Sequence, residues 1–159
     1  MNREALAGLL GELSADLAVL SHPWRLIGSA ALMVAGVDWP SCDDVDILTT
    51  TDGAEALEGL WSNRRDRIFQ PDKSATFRSR FSRYQFDQGW VEVMGDLQVR
   101  TVERWILLDP GPIHIHDFGL GRWPAPGLDD QRRILQTFGR PKDLEKMAML
   151  DGVISLRSR

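Results

Sequence analysis

The sequence predicts the α+β class, with α/β as the neighbouring alternative: a mixed β-sheet flanked by helices. Three observations predict it. Helical and strand-like apolar periodicities alternate irregularly along the chain, without the regular βα alternation of a parallel sheet. With 159 residues, 43% of them hydrophobic, the chain can bury one core without disulfides or a structural metal. No internal repeat or low-complexity tract interrupts it.

The elements follow in order. Leu6, Leu9, Leu10, Leu13, Leu17 and Leu20 keep a 3.6-residue period and predict a helix over 3–20, ending before Pro23. Trp24–Ile27 reads as a short buried strand stopped by Gly28, and Ser29–Ala35 as a compact helix ended by Gly36. Trp39–Pro40 breaks the chain before a second strand, Val45–Thr49. Asp52 with Glu55 three residues on has the form of an N-cap and its N3 partner, opening a helix through Trp61. Residues 76–86 read as a long, partly exposed strand. Trp90–Met94 and Leu97–Arg100 read as a hairpin joined by Gly95–Asp96. Trp105–Leu108 and Ile113–His116 are short apolar segments separated by the turn Asp109–Pro112, and 119–127 reads as loop. Helices over 129–138 and 141–156 follow, the second opening on Pro141. Residues 1–159 thus form one expected domain, with a core of about 24–126.

Composition excludes several classes. A single cysteine, Cys42, removes a disulfide framework and a cysteine-built zinc site, and suits a reducing cytoplasm. No apolar run is long enough to span a bilayer, and Glu4, Glu12 and Asp16 interrupt any signal-like start. A cytoplasmic protein with no membrane partner is expected. The net charge of −4 argues against a broad DNA-binding surface. Locally the charge is blocked: residues 41–63 hold six acids and no base, whereas 64–83 hold seven bases and two acids. Such blocks matter chemically only where they meet in one cleft.

Three features carry chemistry. Gly28–Ser29 joins a strand to a helix, where glycine permits a tight turn and close ligand approach, and the following N–H groups favour phosphate. Asp44 and Asp46, preceded by Asp43, lie two apart on a strand and project from one face about 6–7 Å apart along the chain. Val45 and Ile47 turn to the core. Side-by-side carboxylates repel, and a divalent cation with hard oxygen ligands removes the repulsion. Glu92 lies in the apolar strand Trp90–Met94 on the face opposite Val91 and Val93, either as a surface residue or as a third ligand.

A strand ending in Gly28–Ser29, a short helix, Asp44–Val45–Asp46 on the next strand and Glu92 on a later one resemble the DNA polymerase beta-like nucleotidyltransferase superfamily. The likeness is strongest to its small bacterial members, the abortive-infection toxin-type and antibiotic-modifying nucleotidyltransferases, and spans about residues 24–150. Gly139–Arg140–Pro141–Lys142–Asp143–Leu144 is similar to a helix start found in several of them. The resemblance implies a nucleotidyltransferase fold, with Asp44 and Asp46 holding two Mg²⁺ ions (Mn²⁺ as the alternative). Glu92 would be a ligand first and a base second, and Gly28 and Ser29 would hold the β- and γ-phosphates. It implies transfer of an NMP, AMP from ATP first, to a hydroxyl on RNA, protein or a small molecule, with pyrophosphate released. A non-catalytic nucleotide- or partner-binding member of the same fold, in a toxin–antitoxin or regulatory role, is the alternative. Lys142 is a nucleotide contact by the same resemblance.

The arginines have two readings. Arg78, Arg80 and Ser82 share one strand face and Arg83 takes the other. Either face meets the triphosphate or a polyanionic acceptor, Arg80 being the chosen nucleotide contact, or the arginines keep an exposed edge soluble. His114, His116 and Asp117 form a further set of potential ligands for a metal hydrolase. Trp90 is a candidate to stack on a base. Cys42, beside the aspartates, is expected to have a raised pKa.

Overall fold

The computed structural model describes residues 1–71 and 76–159; Asp72 and Lys73 of the basic block lie outside the described residues. Helix α1 (Arg3–Ala18) leads into strand β1 (Trp24–Ile27), helix α2 (Gly28–Val34), strand β2 (Asp44–Thr49) and helix α3 (Thr51–Leu60). Strands β3 (Phe77–Gln85), β4 (Trp90–Arg100), β5 (Trp105–Leu107), β6 (Ile113–Phe118) and β7 (Gly121–Pro126) follow, then helices α4 (Leu128–Phe138) and α5 (Pro141–Arg157). The main sheet runs β1-β2-β4-β3 and is mixed: β2 and β4 are parallel, while β1/β2 and β3/β4 are antiparallel. β5 pairs with the second half of β4, and β6 and β7 form a separate two-stranded sheet.

Alternation on β2 and β4 divides the main sheet into two faces. Val45, Ile47, Val91 and Val93 are fully buried in one cluster with Leu6, Leu9, Leu10 and Leu13 of α1 and Leu57 of α3. Each such side chain contributes about 1.5–3 kcal/mol of burial free energy, so the pattern of that face fixes the register of both strands. The intervening residues, Asp44, Asp46 and Glu92, are thereby turned to the other face. There a second apolar cluster, including Ile27, Leu48, Leu97 and Ile134, packs the sheet toward α4.

Four local expectations are corrected. Helix α1 ends at Ala18, two residues early. Asp52 is not the cap of α3: Thr50 is, its hydroxyl accepting from the Gly53 N–H at 3.0 Å. Gly95–Asp96 is not a hairpin turn but a β-bulge inside the continuous strand β4. The register passes from Arg80↔Gly95 to Arg78↔Gln98, and Asp96 takes φ +49°. A Cβ at Gly95 would lie 2.8 Å from Ala54 Cβ and 2.9 Å from the Thr50 carbonyl, so the glycine is set by α3 packing over the strand. The bulge aims Asp96 back at that helix, where its carboxylate accepts from Thr51 N (3.0 Å) and Oγ1 (2.5 Å). Residues 121–126 are strand rather than loop. Gly119, at φ +59°, turns β6 into β7, and Pro124 and Pro126 are tolerated because β7 is paired on one side. Trp123 and Ala125 are buried, Trp123 meeting Trp24 edge-on at 6.4 Å.

Candidate active site

Cross-strand register assembles the site. Ile27 stands opposite Asp46, Asp46 beside Glu92, and Glu92 opposite Arg83, so one row crosses all four strands of the main sheet. Asp44 lies one step along β2, on the same face. One carboxylate oxygen from each of Asp44, Asp46 and Glu92 lies within 4.8 Å of the other two. Among the described residues this is the one group of three or more His, Cys, Asp or Glu so placed.

Three half-buried carboxylates at this spacing cannot all hold a negative charge unaided. Burial, then the charges of Asp44 and Glu92, push Asp46 well above the usual carboxylate range. Burial and the Asp44 charge push Glu92 up to about 7, against the pull of Arg83 and Lys142. Asp44 is also raised by burial, with Arg83 opposing. Hard oxygen donors with uncompensated charge are the donor set a Mg²⁺-like ion takes, so the residues fit a divalent cation.

Gly28 sits at the mouth of the triad. Its φ is +69°, and a Cβ there would lie 2.7 Å from Asp46 Oδ2. Both facts demand glycine. Gly28, Ser29 and the three acids line one cleft of about 1050 Å³, whose far wall is apolar and aromatic, with Phe77, Phe81, Met94 and Trp105.

The start of α5 supplies cations to the cleft. Arg140 and Asp143 close a capping box: Arg140 N donates to Asp143 Oδ2 at 3.1 Å, and its guanidinium pairs with the same carboxylate at 2.7 Å. Asp143 is fully buried. Arg140 also lies over Phe77 and Phe138, at 5.0 and 5.4 Å from their centroids. This anchor presents Lys142 and Lys146 to the cleft. Lys146 is buried, its ammonium 5.9 Å from the Trp39 centroid, and burial lowers its pKa against the opposing pull of Asp143 and Asp46. Lys146 is not among the residues singled out from sequence; its signal there is the four-residue spacing from Lys142, which puts both on one helix face.

The remaining sequence candidates are divided between the cleft and other parts of the fold. Arg80 lies on the α3 face of the sheet, not in the cleft. Its guanidinium grips Glu58 through two hydrogen bonds of 2.9 and 3.1 Å, and Ser82 donates to the same carboxylate. Of the arginine faces considered, Arg83 is the one beside the triad, with Nε 3.5 Å from Glu92 Oε1. Arg78 also lines the cleft and lies over Trp105, 4.5 Å from its centroid. Trp90 is covered by Arg83 and does not line the cleft. His114 and His116 stack at 6.5 Å, but Asp117 pairs with Arg122 at 3.5 Å on the opposite strand face, so the three are not brought together. Cys42 is buried, and burial followed by the neighbouring aspartates raises it to about 11. Among the described residues no helix is long and apolar enough to cross a membrane.

No protein-family model matches the chain, and no curated protein matches it in sequence. Solved structures do match. A provisionally assigned nucleotidyltransferase from Thermotoga maritima superposes with TM-score 0.77 and 22% identity, over 100% of this chain and 97% of that one. The antibiotic-resistance factor ANT(2'')-Ia matches with TM-score 0.64 and 9% identity, over 96% and 85% of the two chains. The lincosamide antibiotic adenylyltransferase LnuA, solved with lincomycin bound, matches with TM-score 0.58 and 11% identity, over 95% and 97%. Mixed sheet, acidic row and full-length superposition lead to one conclusion: the chain has the nucleotidyltransferase fold.

Proposed function

We propose that the protein is a metal-dependent nucleotidyltransferase, moving an NMP (AMP from ATP in the first instance) onto a hydroxyl acceptor and releasing pyrophosphate. The observation that carries this is the triad Asp44, Asp46 and Glu92, three carboxylates within 4.8 Å facing a cleft of about 1050 Å³. Asp44, Asp46 and Glu92 would hold the divalent cations, two Mg²⁺ or Mn²⁺ ions. When bound, such ions neutralise charge on the attacking and leaving oxygens.

The chain's own groups then have separable tasks. Gly28 offers no side chain and Ser29 offers a hydroxyl, so the β- and γ-phosphates can approach the backbone closely. Lys142 and Lys146 carry positive charge to the same phosphates. Glu92, a ligand first, would take the proton of the acceptor hydroxyl as its second task. The hydroxyl oxygen bonds to the α-phosphorus, the bond from that phosphorus to the bridging oxygen breaks, and pyrophosphate leaves with its electron pair. Catalysis is therefore positioning and charge compensation.

Incubation of the protein and a cell extract with Mg²⁺ and either α- or γ-labelled ATP tests the reading. Label is expected to enter an acceptor from the α position only, the γ label appearing in pyrophosphate. Transfer of γ label that depends on the added protein, or binding of ATP with no protein-dependent transfer of either label, contradicts it; the second result favours a non-catalytic nucleotide-binding role.

A further inference from the structure

Arg83 ends the catalytic row on the side away from Gly28, and its chemistry is almost unused. Two rings hold its guanidinium, with centroids at 4.2 Å (Trp90) and 4.5 Å (Phe69). Among the described residues its one ion pair is Nε with Glu92 Oε1 at 3.5 Å, and the buried Nε makes no hydrogen bond. An arginine oriented by stacking, with its donor fork unspent, is prepared for a planar or tetrahedral oxyanion.

The surrounding surface has the same sign. Arg65, Arg67 and Arg83 line one cavity of about 340 Å³, and Arg64, Arg65, Arg67 and Trp90 line an adjoining one of about 850 Å³. The nearby acids are largely engaged. Asp66 accepts from the N–H groups of Ile68 and Phe69 at 3.0 and 3.1 Å, and Glu58 is held by Arg80 and, at 3.8 Å, by Arg65. Asp87 lies at the rim of the larger cavity. Arg67 is exposed and has no ion pair among the described residues.

We infer that the acceptor carries a phosphate group, bound by Arg83 and Arg67 in their shared cavity while its hydroxyl lies at Glu92. This rests on the nucleotidyl-transfer reading, which puts the acceptor hydroxyl beside Glu92. The phosphate belongs either to a nucleic-acid strand or to a small phosphorylated molecule. A polycationic acceptor would meet repulsion here.

The test uses the full chain with Mn²⁺ and saturating α,β-methylene-ATP, so that the triphosphate site is filled. Four probes are titrated: glycerol 3-phosphate, glycerol, kanamycin and a fluorescein-labelled ten-nucleotide single-stranded RNA. At least one phosphate-bearing probe is expected to bind tenfold or more tightly than glycerol and kanamycin. Binding of RNA alone identifies a strand, and binding of glycerol 3-phosphate a small molecule. Arg67→Gln and Arg83→Lys are expected to weaken that probe at least tenfold more than they weaken the nucleotide analogue. The inference is overturned if neither phosphate probe outbinds glycerol and kanamycin. It is equally overturned if both variants weaken probe and nucleotide alike, since Arg83 then only balances Glu92. Failure of the wild type to bind the nucleotide analogue at all removes the nucleotidyl-transfer reading, and this inference with it.

Discussion

The position of a Cβ at Gly28 lies 2.7 Å from Oδ2 of Asp46. A residue at the strand–helix junction and a carboxylate on the next strand therefore share one space, and only the absence of a side chain allows both. Gly28→Ala forces the Asp46 carboxylate away and strains a backbone at φ +69°. The expected result is a stability loss of about 1–3 kcal/mol in denaturant unfolding, with Mn²⁺ affinity reduced at least tenfold. Unchanged metal affinity would show that the contact does not matter to the site.

The triad should destabilise the fold when no metal is bound. Asp46→Asn removes the carboxyl that burial and the charges of Asp44 and Glu92 oppose most strongly when it ionises. It is expected to raise the melting temperature of the metal-free protein by about 2–4 °C, on the order of 1 kcal/mol for a chain of this size. The same variant should lose the stabilisation that Mg²⁺ or Mn²⁺ gives the wild type. Thermal scans with and without metal measure both.

The pH dependence has a definite sign. Glu92 is raised from an ordinary value near 4.5 to about 7 in the fold. Its contribution to stability is therefore complete below about 4.5 and is lost as pH rises through 7. The melting temperature of the metal-free Glu92→Gln variant should fall less between pH 5 and 8 than that of the wild type. Metal affinity should move the other way and rise over the same window, because the ion displaces a proton.

Two cations distinguish the cleft from the opposite sheet face. Lys146, buried beside Trp39, is expected to matter to nucleotide binding: Lys146→Gln should lower ATP affinity at least tenfold. Arg80→Gln breaks the grip on Glu58 and should cost only a slight loss of thermal stability, with ATP affinity held. Calorimetry on the two variants separates the faces.

At the N-terminus of α3, Asp96→Ala removes the acceptor of both Thr51 donors. The expected cost is about 1 kcal/mol of stability, in the range of other lost helix caps, with nucleotide binding kept. Urea unfolding of the variant checks it.

How much of this was legible in the sequence follows from which residues depend on local pattern. Val45 and Ile47 had to face a core, which turned Asp44 and Asp46 together without any knowledge of neighbours. Val91 and Val93 did the same for Glu92. Arg80 and Arg83 were harder. Alternation separated their faces, but which face met the site depended on how β3 pairs with β4 and on α3 packing over Gly95. Gly95–Asp96 carries the residues of a hairpin turn and serves as a bulge, because a helix lies across it. Residues 121–126 contain two prolines and read as loop until β6 supplies a partner on one side. Lys146 looks like an ordinary helix-surface lysine, and only the docking of α5 against the cleft buries it.

The central claim is that Asp44 and Asp46 bind nucleotide through metal. Isothermal titration of ATP into the wild type and into the double variant Asp44→Asn/Asp46→Asn, each with and without Mg²⁺, tests it most directly. Mg²⁺ is expected to strengthen ATP binding to the wild type at least tenfold and to have no such effect on the double variant. Equal Mg²⁺ enhancement in the two proteins would contradict it.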